Sequence, residues 1–196
     1  MPSIQVDITE LSRRPTDVKQ LLRPLVRNPD PRRSPGYIQC QRASIANRRL
    51  YVLAAHDGAI PNSDYQDWRF STYRRDFRCK YYEVWKSIDD RFFTYELNRA
   101  YFTLFRVYRA PLREDSLFAL HSDPITGDTE PHAFYKQGPH LHMDFAEDPL
   151  PHAHIALNRS HLEDTLVSVE SLSTALSVAV NMLREQVLTL HWPEFA

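Results

Sequence analysis

Glycine, cysteine and long apolar stretches are all scarce in this sequence of 196 residues. With four glycines, the chain contains no glycine-rich phosphate-binding loop, and a dinucleotide-binding fold is not expected. The two cysteines, Cys40 and Cys79, lie far apart and form no Cys-x-x-Cys pair, so we expect buried thiols rather than a disulfide framework. Neither Gly-x-Ser-x-Gly nor His-Glu-x-x-His occurs, so two common hydrolase motifs are missing.

No apolar run approaches the roughly 18 residues that a membrane-spanning helix needs. The first residues also lack the basic and apolar segments of a secretory signal. We therefore expect a cytoplasmic protein with no membrane partner. A chain of this length, 42% hydrophobic, predicts a single domain, with an N-terminal arm over residues 1–40, a sheet over 80–159 and a C-terminal helix over 160–196.

The net charge of −1 conceals an uneven distribution. Residues 1–80 contain 15 basic and 8 acidic residues, whereas residues 81–196 contain 9 basic and 17 acidic residues. This asymmetry has two interpretations: the first half binds an anionic partner, or the two halves form ion pairs with each other on folding.

The secondary-structure pattern predicts an α+β fold. The proline- and arginine-rich N-terminal region should form one short helix capped by Thr16 and interrupted by Pro24. Residues 43–55 are ambiguous between helix and strand, with helix favoured. From Lys80 onward, aromatic and β-branched runs predict an antiparallel meander. Its strands should cover residues 81–86, 91–98, 101–108 and 117–121, with a tight turn at Asp89 and Asp90.

A long amphipathic helix is predicted near the C-terminus, packed across one face of this sheet. Apolar residues recur at helical spacing over residues 171–190. Ser160 and Glu163 have the spacing of a capping box, which leaves open whether the helix starts there or whether a strand intervenes near residues 166–169.

The most informative pattern is a histidine-rich hairpin that contains His140-Leu-His142-Met-Asp144 and, shortly after, His152-Ala-His154. Side chains alternate across a strand, so the histidines and Asp144 share one face and the apolar residues share the other. A turn centred near Asp148 would place His142 opposite His154 and Asp144 opposite His152.

This histidine face has three competing interpretations. Two His-x-His segments could supply nitrogen ligands to a transition metal such as zinc, with His140, His142, His152 and His154 as ligands and Asp144 close by. Alternatively, His142 and His154 could act as an acid–base pair in phosphodiester cleavage, with Asp144 orienting one ring. The third interpretation is a solvated histidine surface, or a partner-binding surface, without an active site.

A second set of candidates concerns substrate binding. The segment from Trp68 to Arg78 interleaves aromatic residues with arginines, a mixture that stacks on bases and contacts phosphates. The same mixture arises where rings pack inward and arginines remain in solvent. We single out Arg74, Arg75 and Lys136 as candidate substrate-binding residues, and His121 as a further imidazole near the hairpin.

Two segments, Tyr135-Lys-Gln-Gly-Pro-His140 and Pro151-His-Ala-His154, resemble the Pro-His motifs of the TumE-like proteins of bacterial toxin–antitoxin modules. The resemblance covers residues 80–190. It implies a small α+β protein with a toxin-like, RNA-directed activity that a partner protein neutralises. The positions that correspond to the motif histidines would be His140, His142, His152 and His154.

Overall fold

The computed structural model describes residues 4–27, 36–58, 64–109, 112–123, 138–143, 153–156 and 167–189, and for 138–143 and 153–156 it describes the backbone. Within these ranges the chain forms nine strands and two long helices. The strands are β1 (Gln5–Asp7), β2 (Gln39–Arg42), β3 (Leu50–His56), β4 (Phe70–Ser71), β5 (Phe77–Ser87), β6 (Thr94–Arg109), β7 (Leu112–Asp123), β8 (Gly138–Met143) and β9 (Ala153–Ala156). The helices are α1 (Ile8–Val26) and α2 (Val169–Leu183), and a π-helical turn, Arg184–Leu188, extends α2.

All nine strands belong to one antiparallel sheet, in the order β2-β3-β5-β6-β7-β8-β9, with β1 paired to β6 and β4 paired to β5. The α+β class, the antiparallel meander and the C-terminal helix are therefore confirmed. Bulges between Val84 and Trp85 and between Leu104 and Phe105 interrupt the register, and such bulges increase the bend and twist of a sheet.

The larger hydrophobic core lies between the two helices and one face of the sheet, which we call the helix-covered face. Leu22 and Leu25 of α1, Leu176 and Leu183 of α2, and Trp85 of β5 are among its buried residues. A smaller cluster occupies the other face, which we call the second face. It consists of the buried residues Ala43, Val52, Ala54, Trp68, Tyr82 and Val84.

The short N-terminal helix predicted after Thr16 is wrong in its bounds. Helix α1 begins at Ile8, because Asp7 caps it by accepting a hydrogen bond from the backbone amide of Glu10. Pro15 lacks the amide that would bond to the carbonyl of Leu11, and the Tyr51 hydroxyl donates to that carbonyl instead, at 3.1 Å. A tertiary contact thus offsets the interruption, and the helix continues past Pro24 to Val26.

The preference for helix over residues 43–55 is also wrong. Residues Leu50–His56 form β3, which pairs with β2 on one side and β5 on the other. Every residue from Tyr51 to His56 is buried, so this continuous apolar run is a strand covered on both faces.

The remaining elements largely agree with the predicted ones. The turn at Asp89 is present, and Phe92 within it adopts a left-handed φ of 59°. The strands predicted over residues 91–98 and 101–108 join into the single strand β6. The predicted capping box at Ser160 lies outside the described residues, whereas Ser168 and Ser171 form a reciprocal capping box at the start of α2.

Candidate functional site

The predicted pairing of His142 with His154 in the histidine hairpin is confirmed. In the pairing of β8 with β9, His142 lies directly opposite His154 and His140 lies opposite Ala156. Directly opposed residues of an antiparallel pair have Cβ atoms about 4.5 to 5.5 Å apart. His142 and His154 therefore occupy neighbouring positions on one face of the sheet.

The pairing of β7 with β8 brings a further histidine to this part of the sheet. His121 lies directly opposite His140, and Ala119 lies opposite His142. Strand alternation then assigns His121, His140, His142 and His154 to the same face across three neighbouring strands. His121 was a secondary candidate in the sequence, and only the strand order gives it this position.

Several predicted site residues fall outside the described residues. These are Lys136, Asp144 and His152. Among the side chains that the structure does describe, no group of three or more histidine, cysteine, aspartate or glutamate residues is arranged to hold a metal ion. Convergence of the histidine rings and coordination of a metal therefore stay predictions.

Arg74 is held within its own turn. Its guanidinium forms an ion pair with Asp76 at 2.6 Å and lies 5.1 Å from the centre of the Phe77 ring. Arg75 is exposed. Trp68, Phe70 and Phe77 are buried. In this segment, the interpretation in which rings pack inward and arginines remain outside is the one that agrees with the structure.

A set of aromatic residues lies together on the second face, and His121 is the one among them that the sequence marks as a candidate. We call Tyr65, Tyr82, Tyr101 and His121 the aromatic platform. The rings of Tyr101 and His121 stack with centres 3.9 Å apart and planes inclined by 10°. Tyr82 contacts both Tyr101 and Tyr65, in each case with ring centres 5.3 Å apart.

Arg99 lies above this aromatic platform. Its guanidinium is 5.8 Å from the centre of the Tyr82 ring and 5.7 Å from that of Tyr101, and it donates a hydrogen bond to the Tyr65 hydroxyl at 3.2 Å. Such cation–π contacts favour a cation over the ring face. Among the described residues, no carboxylate forms an ion pair with Arg99, and its buried Nε has no hydrogen-bond partner.

Other arginines of the second face are neutralised. Arg78 forms ion pairs with Glu114 at 2.9 Å and with Asp57 at 3.8 Å, and Arg69 lies 3.9 Å from Glu114. Two of these pairs join the basic first part of the chain to the acidic second part, as do Arg14–Glu83 and Arg49–Asp90. Part of the charge asymmetry is therefore accounted for by ion pairs between the two halves of the chain.

On the helix-covered face, a buried ion pair connects α1 to β5. The Nε of Arg14 donates to both carboxylate oxygens of Glu83, and its Nη2 donates to Oε1 at 2.8 Å. Tyr81 and Trp85 also donate to Glu83, and Nη1 of Arg14 donates to Ser173 of α2. Burial acts to lower the pKa of Arg14, but the neighbouring Glu83 and Tyr81 outweigh it, so the pKa lies above its ordinary value.

The expectation of buried, unpaired thiols is confirmed for Cys79 and holds only in part for Cys40. Both are free, Cys79 is fully buried and Cys40 is partly exposed. Burial raises the pKa of the Cys40 thiol to about 12, with a smaller contribution from Glu83, and burial also raises the pKa of Cys79. Neither thiol is a nucleophile near neutral pH, because the thiolate is the reactive form.

Comparisons with known proteins add no identification: no family model, curated protein or solved structure matches this chain. The resemblance to the TumE-like proteins rests on the sequence motifs and stays a prediction. No helix within the described ranges is long and apolar enough to cross a membrane.

Proposed function

We propose that this protein cleaves phosphodiester bonds in RNA, with His142 and His154 as an acid–base pair. The observation that carries the proposal is the strand register, which sets these two residues directly opposite each other at the end of the sheet. Imidazole is suited to this chemistry because its ordinary pKa lies near neutrality, so one ring can accept a proton while another donates one.

The reaction needs no group beyond the two rings and the substrate. The neutral imidazole accepts the proton of a ribose 2′-hydroxyl while its oxygen bonds to phosphorus. The bond from phosphorus to the 5′ oxygen breaks, and the second imidazole, in its protonated form, gives its proton to that oxygen. The products are a 2′,3′-cyclic phosphate and a 5′-hydroxyl, and Asp144 would orient one of the rings.

The test compares His142→Ala and His154→Ala with the unaltered protein on a labelled RNA oligonucleotide. Each substitution should lower the cleavage rate by about a hundredfold or more, since general acid–base groups contribute about 10² to 10⁴. His191→Ala serves as the matched histidine control and should cleave normally. A DNA oligonucleotide of the same sequence should resist cleavage because it lacks the 2′-hydroxyl.

Thermal unfolding of each variant separates lost chemistry from lost folding. Cleavage by both folded variants at the rate of the unaltered protein would contradict the proposal. So would equal cleavage of the DNA.

The alternative function is metal or partner binding without turnover. One observation favours it: the register aligns His121 with His140 as well as His142 with His154, and several imidazoles on neighbouring strands are a common source of zinc ligands. Elemental analysis of protein purified without chelator decides this point. About one equivalent of metal that disappears in His142→Ala would support binding, and less than about 0.1 equivalent would count against it.

The resemblance to toxin–antitoxin proteins leads to a corollary of the main proposal. If the RNA-cleaving activity is toxic to the cell that makes it, a partner protein must neutralise it. Expression of the unaltered chain should then arrest growth, and expression of His142→Ala should not.

A further inference from the structure

Arg99 is a basic residue on the second face for which the described residues provide no carboxylate partner. Its side chain is half-buried, its nearest groups are tyrosine rings and a tyrosine hydroxyl, and the described residues offer it no carboxylate. Arg78, on the neighbouring strand of the same face, has two carboxylate partners within 4 Å. A guanidinium without a carboxylate partner, such as that of Arg99, is suited to bind an external anion, because it can form paired hydrogen bonds with phosphate oxygens.

The surroundings of Arg99 specify the anion further. Tyr101 and His121 are half-buried, so the stacked pair has an accessible part. Aromatic rings beside a cation are the arrangement by which proteins bind single-stranded nucleic acids, since bases stack on the rings and phosphates contact the cation. A small inorganic anion would use the cation alone and leave the rings without a role.

We propose that Arg99 and the aromatic platform bind single-stranded RNA, with the phosphate at Arg99 and a base against Tyr101 and His121. This inference rests on the proposed function, for which it supplies the substrate-binding surface. It also replaces Arg74, which Asp76 neutralises, as the expected substrate contact.

The strand register connects this surface to the candidate catalytic pair. One row of paired residues crosses the strands β5, β6, β7 and β8 on the second face. It consists of Tyr82, Tyr101, His121 and His140, each paired with the next. The next row of the same face runs through Thr103, Ala119, His142 and His154. Neighbouring strands are about 4.8 Å apart, so β8 and β9 lie roughly 10 to 15 Å from β6 along the sheet. An RNA strand that crosses the sheet would reach both places.

Binding is measured separately from cleavage, in the His142→Ala background, by fluorescence anisotropy with a labelled oligouridylate. Arg99→Ala and Tyr101→Leu should each weaken binding about tenfold, the size expected for loss of one stacked base or one phosphate contact. Tyr101→Phe retains the ring and should bind normally. Arg91→Ala, at an exposed arginine in the turn before β6, is the matched control and should change the affinity by less than about twofold.

Salt dependence adds a readout that a folding defect would not produce. Loss of one phosphate contact lowers the slope of log affinity against log salt by about one, so Arg99→Ala should show this decrease and Tyr101→Leu should not. Unchanged affinity in both Arg99→Ala and Tyr101→Leu, or a Tyr101→Phe variant as weak as Tyr101→Leu, would overturn the proposal.

The two proposals fail in different ways. If Arg99→Ala weakens binding about tenfold but His142→Ala and His154→Ala still cleave RNA, the binding surface is correct and the catalytic pair is wrong. If those two variants lose cleavage but Arg99→Ala binds normally, the catalytic pair is correct and the RNA is bound elsewhere.

Discussion

Arg14 on the helix-covered face of the sheet and Arg99 on the second face have opposite surroundings. On the helix-covered face, Arg14 is 2% exposed, and its Nε, Nη1 and Nη2 all donate hydrogen bonds to Glu83 or Ser173. On the second face, Arg99 is half-buried, it contacts tyrosines, and its Nε has no partner among the described residues. Both arginines have tyrosine neighbours, Tyr81 for Arg14 and Tyr82 and Tyr101 for Arg99, so the type of neighbouring residue alone does not distinguish them.

This difference separates a structural role from a binding role. A charge that is fully paired and buried holds elements together and has no capacity for a ligand. A charge left beside accessible rings adds little to the stability of the fold but keeps its capacity for an anion. Substitution of Arg14 and of Arg99 therefore tests directly whether the first has a structural role and the second a binding role.

The largest effect is expected at the buried ion pair. Arg14→Met should lower the free energy of unfolding by about 3 to 5 kcal/mol, because it leaves the carboxylate of Glu83 buried without its cation. Urea denaturation of the purified variant measures this change. Arg49→Met removes one partner of an exposed ion pair and, as the control, should change stability by less than about 1 kcal/mol.

A double variant sharpens this result. Arg14→Met combined with Glu83→Gln removes both charges and keeps a carbonyl acceptor beside Tyr81 and Trp85, so it should be more stable than Arg14→Met alone. A double variant that is less stable than Arg14→Met would mean that the lost stability comes from packing rather than from an unpaired charge. An Arg14→Met loss no larger than that of Arg49→Met would contradict the assignment of a structural role.

An intermediate, pH-dependent effect is expected at His56, which is buried beside Trp68 on the second face. Burial lowers the pKa of His56, with Asp57 opposing, and its Nδ1 accepts a hydrogen bond from the Gly58 amide, which requires the neutral ring. The unfolded chain therefore takes up a proton below about pH 6.5 that the folded chain does not. The contribution of His56 is fully present above that pH and decreases as the pH falls.

Urea denaturation at pH 7.5 and pH 5.5 measures this contribution. The unaltered protein should lose stability between the two values, at no more than about 1.4 kcal/mol per pH unit for one proton, and His56→Gln should lose less. His191→Gln is the matched control. An equal loss in His56→Gln and the unaltered protein would mean that other groups set the pH dependence.

The parts of the fold that follow a local pattern could be predicted from the sequence. Alternation placed His142 and His154 on one face, and their separation along the chain set the register that the sheet shows. The aromatic runs gave the meander, and helical spacing gave α2. In each case the signal lies within one short segment or between neighbouring segments of the chain.

The rest depends on contacts between distant segments. Pro15 is unfavourable inside a helix, yet it lies within α1, where Tyr51 of the distant strand β3 donates the hydrogen bond to the carbonyl of Leu11 that Pro15 cannot donate. Glu83 is 69 positions from Arg14, so no local pattern marks them as a pair. The residues next to Arg78 and Arg99 in the chain do not distinguish these two arginines. Only the folded structure places carboxylates beside Arg78 and tyrosine rings beneath Arg99.

The smallest change in stability is expected at Arg99, which completes the comparison. Arg99→Met retains the apolar stem over the tyrosine rings and removes a charge that no described carboxylate pairs, so the free energy of unfolding should change by less than about 1 kcal/mol. The same variant should lose about tenfold in affinity for the oligouridylate. Urea denaturation and anisotropy on one preparation give both values, with Arg91→Met as the control. A loss of stability close to that of Arg14→Met would show that Arg99 holds the fold together, and the contrast between the two faces would fail.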